Sequence, residues 1–181
     1  MAIDGIVLAA GLSSRAGVFK MTLDVGGRML IHRTIDGMAC VCDRIIVVGG
    51  YRIEDLRAAL AGRPGVSVVL NDEYREGMYS SVKAGIRHVR SDRFFLIPGD
   101  CPYVGCHVYT QLLQADTEVV IPTYEGRKGH PILLQSSLIA PILADSEQVS
   151  LRNFIESRNC ALVDVAEEGI LRDIDTIADL R

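Results

Sequence analysis

"IDGIVLAAGLSSRAGVFKM" (residues 3–21) decides how the rest of the chain is read. Its first part is a short, β-branched apolar run, and Gly11, two serines, Arg15, Gly17 and Lys20 follow directly. Glycine lets a backbone bend freely. Hydroxyl, guanidinium and ammonium groups are the side-chain chemistry that binds anions. A loop of this make-up behind a strand suits phosphate, because free backbone N–H groups and fixed positive charge converge there. The plainer alternative is a strand-to-helix turn, which needs Gly and Ser but has no use for an Arg and a Lys five residues apart. Neither common phosphate fingerprint fits. Lys20 lies between Phe19 and Met21 rather than in Gly-Lys-Ser/Thr, and the glycines do not form G-x-G-x-x-G.

Four further apolar runs repeat the first: "RIIVVGG" (44–50), "VSVVLN" (66–71), "RFFLIPGD" (93–100) and "EVVIPT" (118–123). They are continuous rather than alternating, the pattern of strands buried on both faces of a parallel sheet. Helical patterns separate them. "RIEDLRAALAG" places Ile53, Leu56 and Leu60 on one face, and "SSVKAGIRHVR" does the same with Val82, Ile86 and Val89 behind a serine N-cap candidate. "VYTQLLQA" is a third helix. This succession gives βαβ units and an α/β fold. Later, "GRKGHPILLQ" reads as a loop feeding a short strand, "SLRNFIESR" as an amphipathic helix and "CALVDVA" as a strand. "DIDTIADLR" reads as a closing helix capped by Asp175 or Thr176. Residues 1–181 contain no linker, repeat or low-complexity segment and are expected to form a single domain.

Composition narrows the function. The 181 residues are 49% hydrophobic and 23% charged, ordinary for a globular protein. A net charge of −4 argues against nucleic acid as the main partner. No apolar stretch approaches the ~20 residues of a membrane span, and the N-terminus does not read as a signal peptide. The five cysteines match no standard zinc spacing and are expected to be reduced thiols of a cytoplasmic protein. Cys106-His107 offers at most a weak metal motif.

In an open parallel sheet, ligands sit outside the carboxyl ends of the strands. Asp100, just past a buried run, is placed either to hold a divalent metal against phosphates or to cap the next helix. Asn71, Gly77, Ser80 and Ser81 offer a pocket for a base or a phosphate, or else another N-cap.

Taken in order, these segments resemble one family. "LAAGLSSRAGVFK" is similar to the L-A-A-G-x-S-x-R-x-G-x-x-K signature of the MobA-like nucleotidyltransferases. "GMYSSVKAGI", "PGDCP", "GRKGHPILL" and "DIDTIADL" resemble that family's four later motifs, so the resemblance runs from Ile3 to Leu180. Leu-Ala-Ala-Gly and Gly-His-Pro look most like the molybdenum cofactor cytidylyltransferase branch. The resemblance implies a three-layer, Rossmann-like fold of the nucleotide-diphospho-sugar-transferase type with a mostly parallel sheet. It implies a Mg²⁺-dependent transfer of CMP from CTP to the phosphate of a molybdopterin-type acceptor. Leu8, Ala9, Ala10, Gly11, Ser13, Asn71, Gly77 and Ser81 would bind the nucleotide. Arg15 and Lys20 would neutralise its phosphates, and Asp100 and Asp175 would hold the metal, with Asp173 as the substitute for the second. His130 would face the acceptor, unless it is an ordinary loop histidine. A molybdoenzyme or its chaperone would receive the product. A GTP-using enzyme, a sugar- or alcohol-phosphate nucleotidyltransferase and a non-catalytic nucleotide-binding subunit are the alternatives. The chain departs from the family pattern at Ala16, Asp24, Cys101 and the Thr176-Ile177-Ala178-Asp179 stretch, none of which removes a charged participant.

Overall fold

β1 (Ile3–Ala9) is the axis of the sheet, and all seven of its residues are buried. The computed structural model describes residues 2–11, 19–146, 150–156, 158–175 and 179. On one side β1 pairs in parallel with β2 (Arg44–Gly49), which pairs in parallel with β3 (Val66–Leu70). On the other side it pairs in parallel with β4 (Arg93–Pro98), so that Ile6 lies between Ile46 and Leu96. Alternate residues of β1 point to opposite faces. Val7 enters an apolar cluster with Ile31, Ile35, Phe95 and Tyr109, whereas Ile6 and Leu8 enter another with Val82, Ile86 and Phe154. This two-sided burial is why Ile6–Ala9 is apolar; Asp4, also buried, has its carboxylate satisfied by the N–H groups of Arg90 and Ser91.

The first cluster is built on α1 (Leu30–Met38), α2 (Ile53–Leu60) and α4 (Cys106–Leu112). The second is built on α3 (Met78–Ile86), α5 (Ile139–Ala144) and α6 (Leu151–Glu156). Helices thus cover both faces of a mostly parallel sheet, the three-layer arrangement expected.

The sheet is mixed beyond β4. β5 (Val119–Tyr124) does not pair with β4; β7 (Ile132–Gln135) lies antiparallel between them, with Leu133 opposite both Phe95 and Val120. The two-residue β6 (Arg127–Lys128) pairs antiparallel with β5, and β8 (Cys160–Asp164) pairs with it in parallel. Three local expectations need correction. β3 is an edge strand and is only half covered, with Leu70 44% exposed. α3 starts at Met78 rather than behind a serine. Gly77 precedes it at φ 98°, a conformation that favours glycine, and Ser80 Oγ instead donates toward the carbonyls of Glu73 and Gly77 at 2.8 Å each. The cysteines are not all thiols: Cys40, beyond the end of α1, is bonded to Cys106 at the start of α4. Packing brings together residues 66 apart in the chain, which no spacing rule could show. The closing helix expected at 173–181 falls largely outside the described residues. Among the described residues, no helix is long and apolar enough to cross a membrane.

Candidate functional site

The carboxyl ends of β1 and β4 open onto a cleft of about 390 Å³. Leu8, Ala9, Ala10 and Gly11 carry β1 into its floor, and Pro98 and Asp100 come from the end of β4. The pairing of these strands continues past their ends, because the Gly99 N–H donates to Leu8 O at 2.8 Å. Gly77 and Ser81, at the start of α3, form the opposite wall. Asn71 stands behind that wall rather than in it. Its Nδ2 donates to Ser80 Oγ at 2.9 Å and to Ser81 Oγ at 3.0 Å, and its Oδ1 accepts the Glu73 N–H at 3.1 Å. Ser13 and Arg15 lie outside the described residues.

Lys20 lies in a short 3₁₀ turn (Lys20–Thr22) and is only 8% exposed, which is unusual for lysine. Its Nζ sits 2.8 Å from Asp100 Oδ2 and 3.4 Å from Asp175 Oδ1. Three residues far apart in sequence therefore converge on one point of the cleft. Asp175 lines the cleft, and the exposed Asp173 does not. The Ile174 N–H donates to Asp100 O at 2.9 Å and ties the two carboxylate-bearing segments together.

Two carboxylates whose oxygens reach one cation are a donor set that a divalent ion can use. Among the described residues no group of three or more His, Cys, Asp or Glu could hold a metal. A pair nevertheless fits Mg²⁺, which keeps several waters and typically takes one or two carboxylates plus phosphate oxygens.

A second cavity of about 790 Å³ adjoins the first and shares Leu8, Met78 and Pro98 with it. His130 lines this second cavity. Burial lowers its pKa below the usual histidine value, only partly offset by the charges of Asp100 and Asp173. Its Nδ1 is shielded and has no hydrogen-bond partner among the described residues. One side of the wall is apolar, with Val82, Leu96, Ile121 and Ile155. Lys128, Arg152 and Arg158 also line the cavity, against one carboxylate, that of Glu156, among the described residues. The Cys106-His107 motif builds no metal site, since Cys106 is disulfide-bonded and His107 Nε2 faces Glu167 Oε2 at 3.4 Å.

Sequence reasoning missed Tyr74 and Arg75, which line the first cleft side by side, with the Arg75 guanidinium 5.6 Å from the Tyr74 ring centroid. Both fall in the "NDEYREGMYSS" stretch, yet nothing in their spacing sets them apart from a solvated turn. Lys128, Arg152 and Arg158 were missed for a similar reason. Lys128 lies in the two-residue β6 and Arg158 beyond the end of α6, where no periodicity marks a side chain, and on the amphipathic α6 Arg152 has the same spacing as a cation facing water.

This geometry has known relatives. The MobA-like NTP transferase domain model matches residues 5–163. The chain is 30% identical to the molybdenum cofactor cytidylyltransferase of Escherichia coli K12 over 98% of this chain and 93% of that protein. A Methanothermobacter nucleotidyl transferase superposes with a TM-score of 0.84 at 24% identity, over 98% of this chain and 94% of that one. Rv0371c from Mycobacterium tuberculosis H37Rv superposes with a TM-score of 0.84 at 24% identity, over 99% and 96%. A complex of Rv0371c with manganese superposes with a TM-score of 0.74 at 21% identity, over 91% and 89%. The chain belongs to the MobA-like NTP transferase domain family and is a nucleotidyltransferase.

Proposed function

We propose that this chain is a Mg²⁺-dependent molybdenum cofactor cytidylyltransferase. It transfers CMP from CTP to the phosphate of a molybdopterin-type acceptor and releases pyrophosphate. The observation that carries the reading is the junction of two unlike cavities at Leu8, Met78 and Pro98. The smaller, with its glycine-bearing floor, lysine and two carboxylates, suits a nucleoside triphosphate. The larger, which combines an apolar wall with His130 and three cations against the Glu156 carboxylate, suits a heterocycle that carries a phosphate.

In this reading the acceptor's phosphate oxygen attacks the α-phosphorus of CTP. The bond from that phosphorus to the β-phosphate bridging oxygen breaks, and pyrophosphate departs. The nucleophile is already anionic, so no activated Ser or Cys is needed, and positioning with charge neutralisation supplies the rate. Asp100 and Asp175 would hold the Mg²⁺, which would neutralise phosphate oxygens. Lys20 would turn its flexible ammonium from the two carboxylates onto the charge growing on pyrophosphate, with Arg15 acting beside it. Ala10, Gly11, Gly77 and Ser81 would line the base and ribose, with Asn71 holding the Ser81 hydroxyl. His130, Lys128 and Arg152 would receive the acceptor. Pyrophosphate release with CTP, GTP or UTP and a molybdopterin acceptor tests the reading. A much higher kcat/KM with CTP supports it, and equal or reversed preference for GTP contradicts it.

A further inference from the structure

Asp100 is held in place by its backbone, and the anchors can be traced. Its own carbonyl accepts from the Ile174 N–H, and the preceding peptide is pinned where the Gly99 N–H meets Leu8 O at 2.8 Å. Both contacts are backbone to backbone, so they survive most substitutions. The peptide unit that joins Gly99 to Asp100 has a different anchor. Its carbonyl, Gly99 O, accepts from Thr34 Oγ1 at 2.9 Å, and Thr34 is 2% exposed in the middle of α1. This is a side-chain anchor on the peptide that leads directly into the Asp100 Cα.

Thr34 is the first of three contacts along one face of α1 and the turn beyond it. Residues three apart on a helix share a face. Three positions on, Gly37 lies against the same segment so closely that a Cβ there would stand 2.4 Å from Val104 O. Three further on, Cys40 is bonded to Cys106. Hydrogen bond, close backbone approach and covalent bond thus follow the 99–106 segment from one end to the other.

We propose that Thr34 is a positioning residue for nucleotidyl transfer, which orients the Asp100 carboxylate through the Gly99 carbonyl while Gly37 and the Cys40–Cys106 bond hold the rest of the segment against α1. The proposal rests on the reading that Asp100 holds the metal. Valine at position 34 keeps the branched shape and removes the donor. The Gly99 carbonyl is then free to rotate away, and the carboxylate moves with it. The nucleoside contacts at Gly77 and Ser81 lie across the cleft and are not touched.

The test is a Mn²⁺ titration followed by electron paramagnetic resonance with CTP present, on oxidised protein, alongside steady-state kinetics. Thr34→Val should weaken Mn²⁺ binding by about tenfold, the lower end of what loss of a supporting contact behind a metal ligand costs. The kcat should fall by a similar factor, with the KM for CTP little changed. Thr34→Ser, which keeps the hydroxyl, should restore both. Cys106→Ser, a change at an exposed position, frees the far end of the segment and should weaken Mn²⁺ binding by a smaller factor. It serves as the second arm if Thr34→Val does not fold. Asp100→Ala separates the two levels of the argument. If Asp100→Ala keeps the wild-type Mn²⁺ affinity, the metal reading of Asp100 fails. If Asp100→Ala loses Mn²⁺ while folded Thr34→Val binds as wild type, the positioning role is overturned. Where only Cys106→Ser folds, wild-type Mn²⁺ affinity and kcat in that variant overturn it equally.

Discussion

The Lys20 ammonium lies between two carboxylates, 2.8 Å from Asp100 Oδ2 and 3.4 Å from Asp175 Oδ1, with Lys20 itself buried. Its removal has two separable effects. Lys20→Met keeps much of the stem and removes the charge. In the proposed reaction the charge that Lys20 balances grows in the transition state, so the kcat should fall by roughly 10²-fold or more, with a smaller change in CTP affinity. The two carboxylates are also left facing one another. Asp175 is partly exposed, so the loss of stability without Mg²⁺ should be about 1–2 kcal/mol, between the values for exposed and fully buried pairs. Added Mg²⁺ should narrow that gap. Chemical denaturation with and without Mg²⁺, together with steady-state kinetics, measures both effects. A lysine on a solvated turn would change neither.

His130 should titrate below the ordinary histidine range, since burial disfavours its charged form. A pKa depressed in the folded state means the unfolded chain binds the proton more readily. The associated stability is therefore present above the unfolded value of about 6.5 and is lost as pH falls through the folded value. An NMR titration of the His130 ring checks the shift. His130→Gln should lose this part of the acid sensitivity. A native pKa at or above 6.5 would show that the ring is not held in the cavity wall.

The Cys40–Cys106 bond leaves Cys42, Cys101 and Cys160 as the free thiols. Burial pushes the Cys42 thiol up to about 12, and it raises Cys101 and Cys160 as well, so all three should react slowly in the native protein. Unfolded without reductant, the chain should show three reactive thiols. After reduction it should show all five. Closing a loop of this length is worth about 4 kcal/mol in chain entropy, so reduction should lower the denaturation midpoint. Five thiols in the unreduced chain would contradict the pairing.

Arg152 distinguishes the two cavities by position, because it lines the second and not the first. Arg152→Ala should raise the KM for the acceptor and leave the KM for CTP nearly unchanged, the pattern of lost ground-state binding to one substrate. A change confined to CTP would reverse the assignment of the cavities.

The strands that carry the site were legible because their chemistry is local. The runs Ile6–Ala9 and Phe94–Pro98 are apolar, since both of their faces are covered. The polar residues that follow them stand where a parallel sheet exposes its carboxyl ends. The antiparallel insertion of β7 was not legible, because "ILLQ" reads the same in either direction and only its partners Phe95 and Val120 fix its place. The burial of Lys20 depends on Asp100 and Asp175, 80 and 155 residues away. No helix is read around position 34 in the sequence, and Thr34 gains meaning only where α1 sets its hydroxyl on the Gly99 carbonyl. Long-range pairings of this kind leave no periodicity in a single sequence.

The most direct measurement of the central claim is pyrophosphate release from CTP and Mg²⁺ with a molybdopterin acceptor, by wild type and by Asp100→Ala. Asp100 follows a strand rather than filling the core, so the variant should fold. We expect acceptor-dependent turnover in the wild type and a loss on the order of 10²–10³ in the variant, as for removal of other charge-stabilising groups. A folded Asp100→Ala protein that turns over within a fewfold of wild type would contradict the assignment of the cleft.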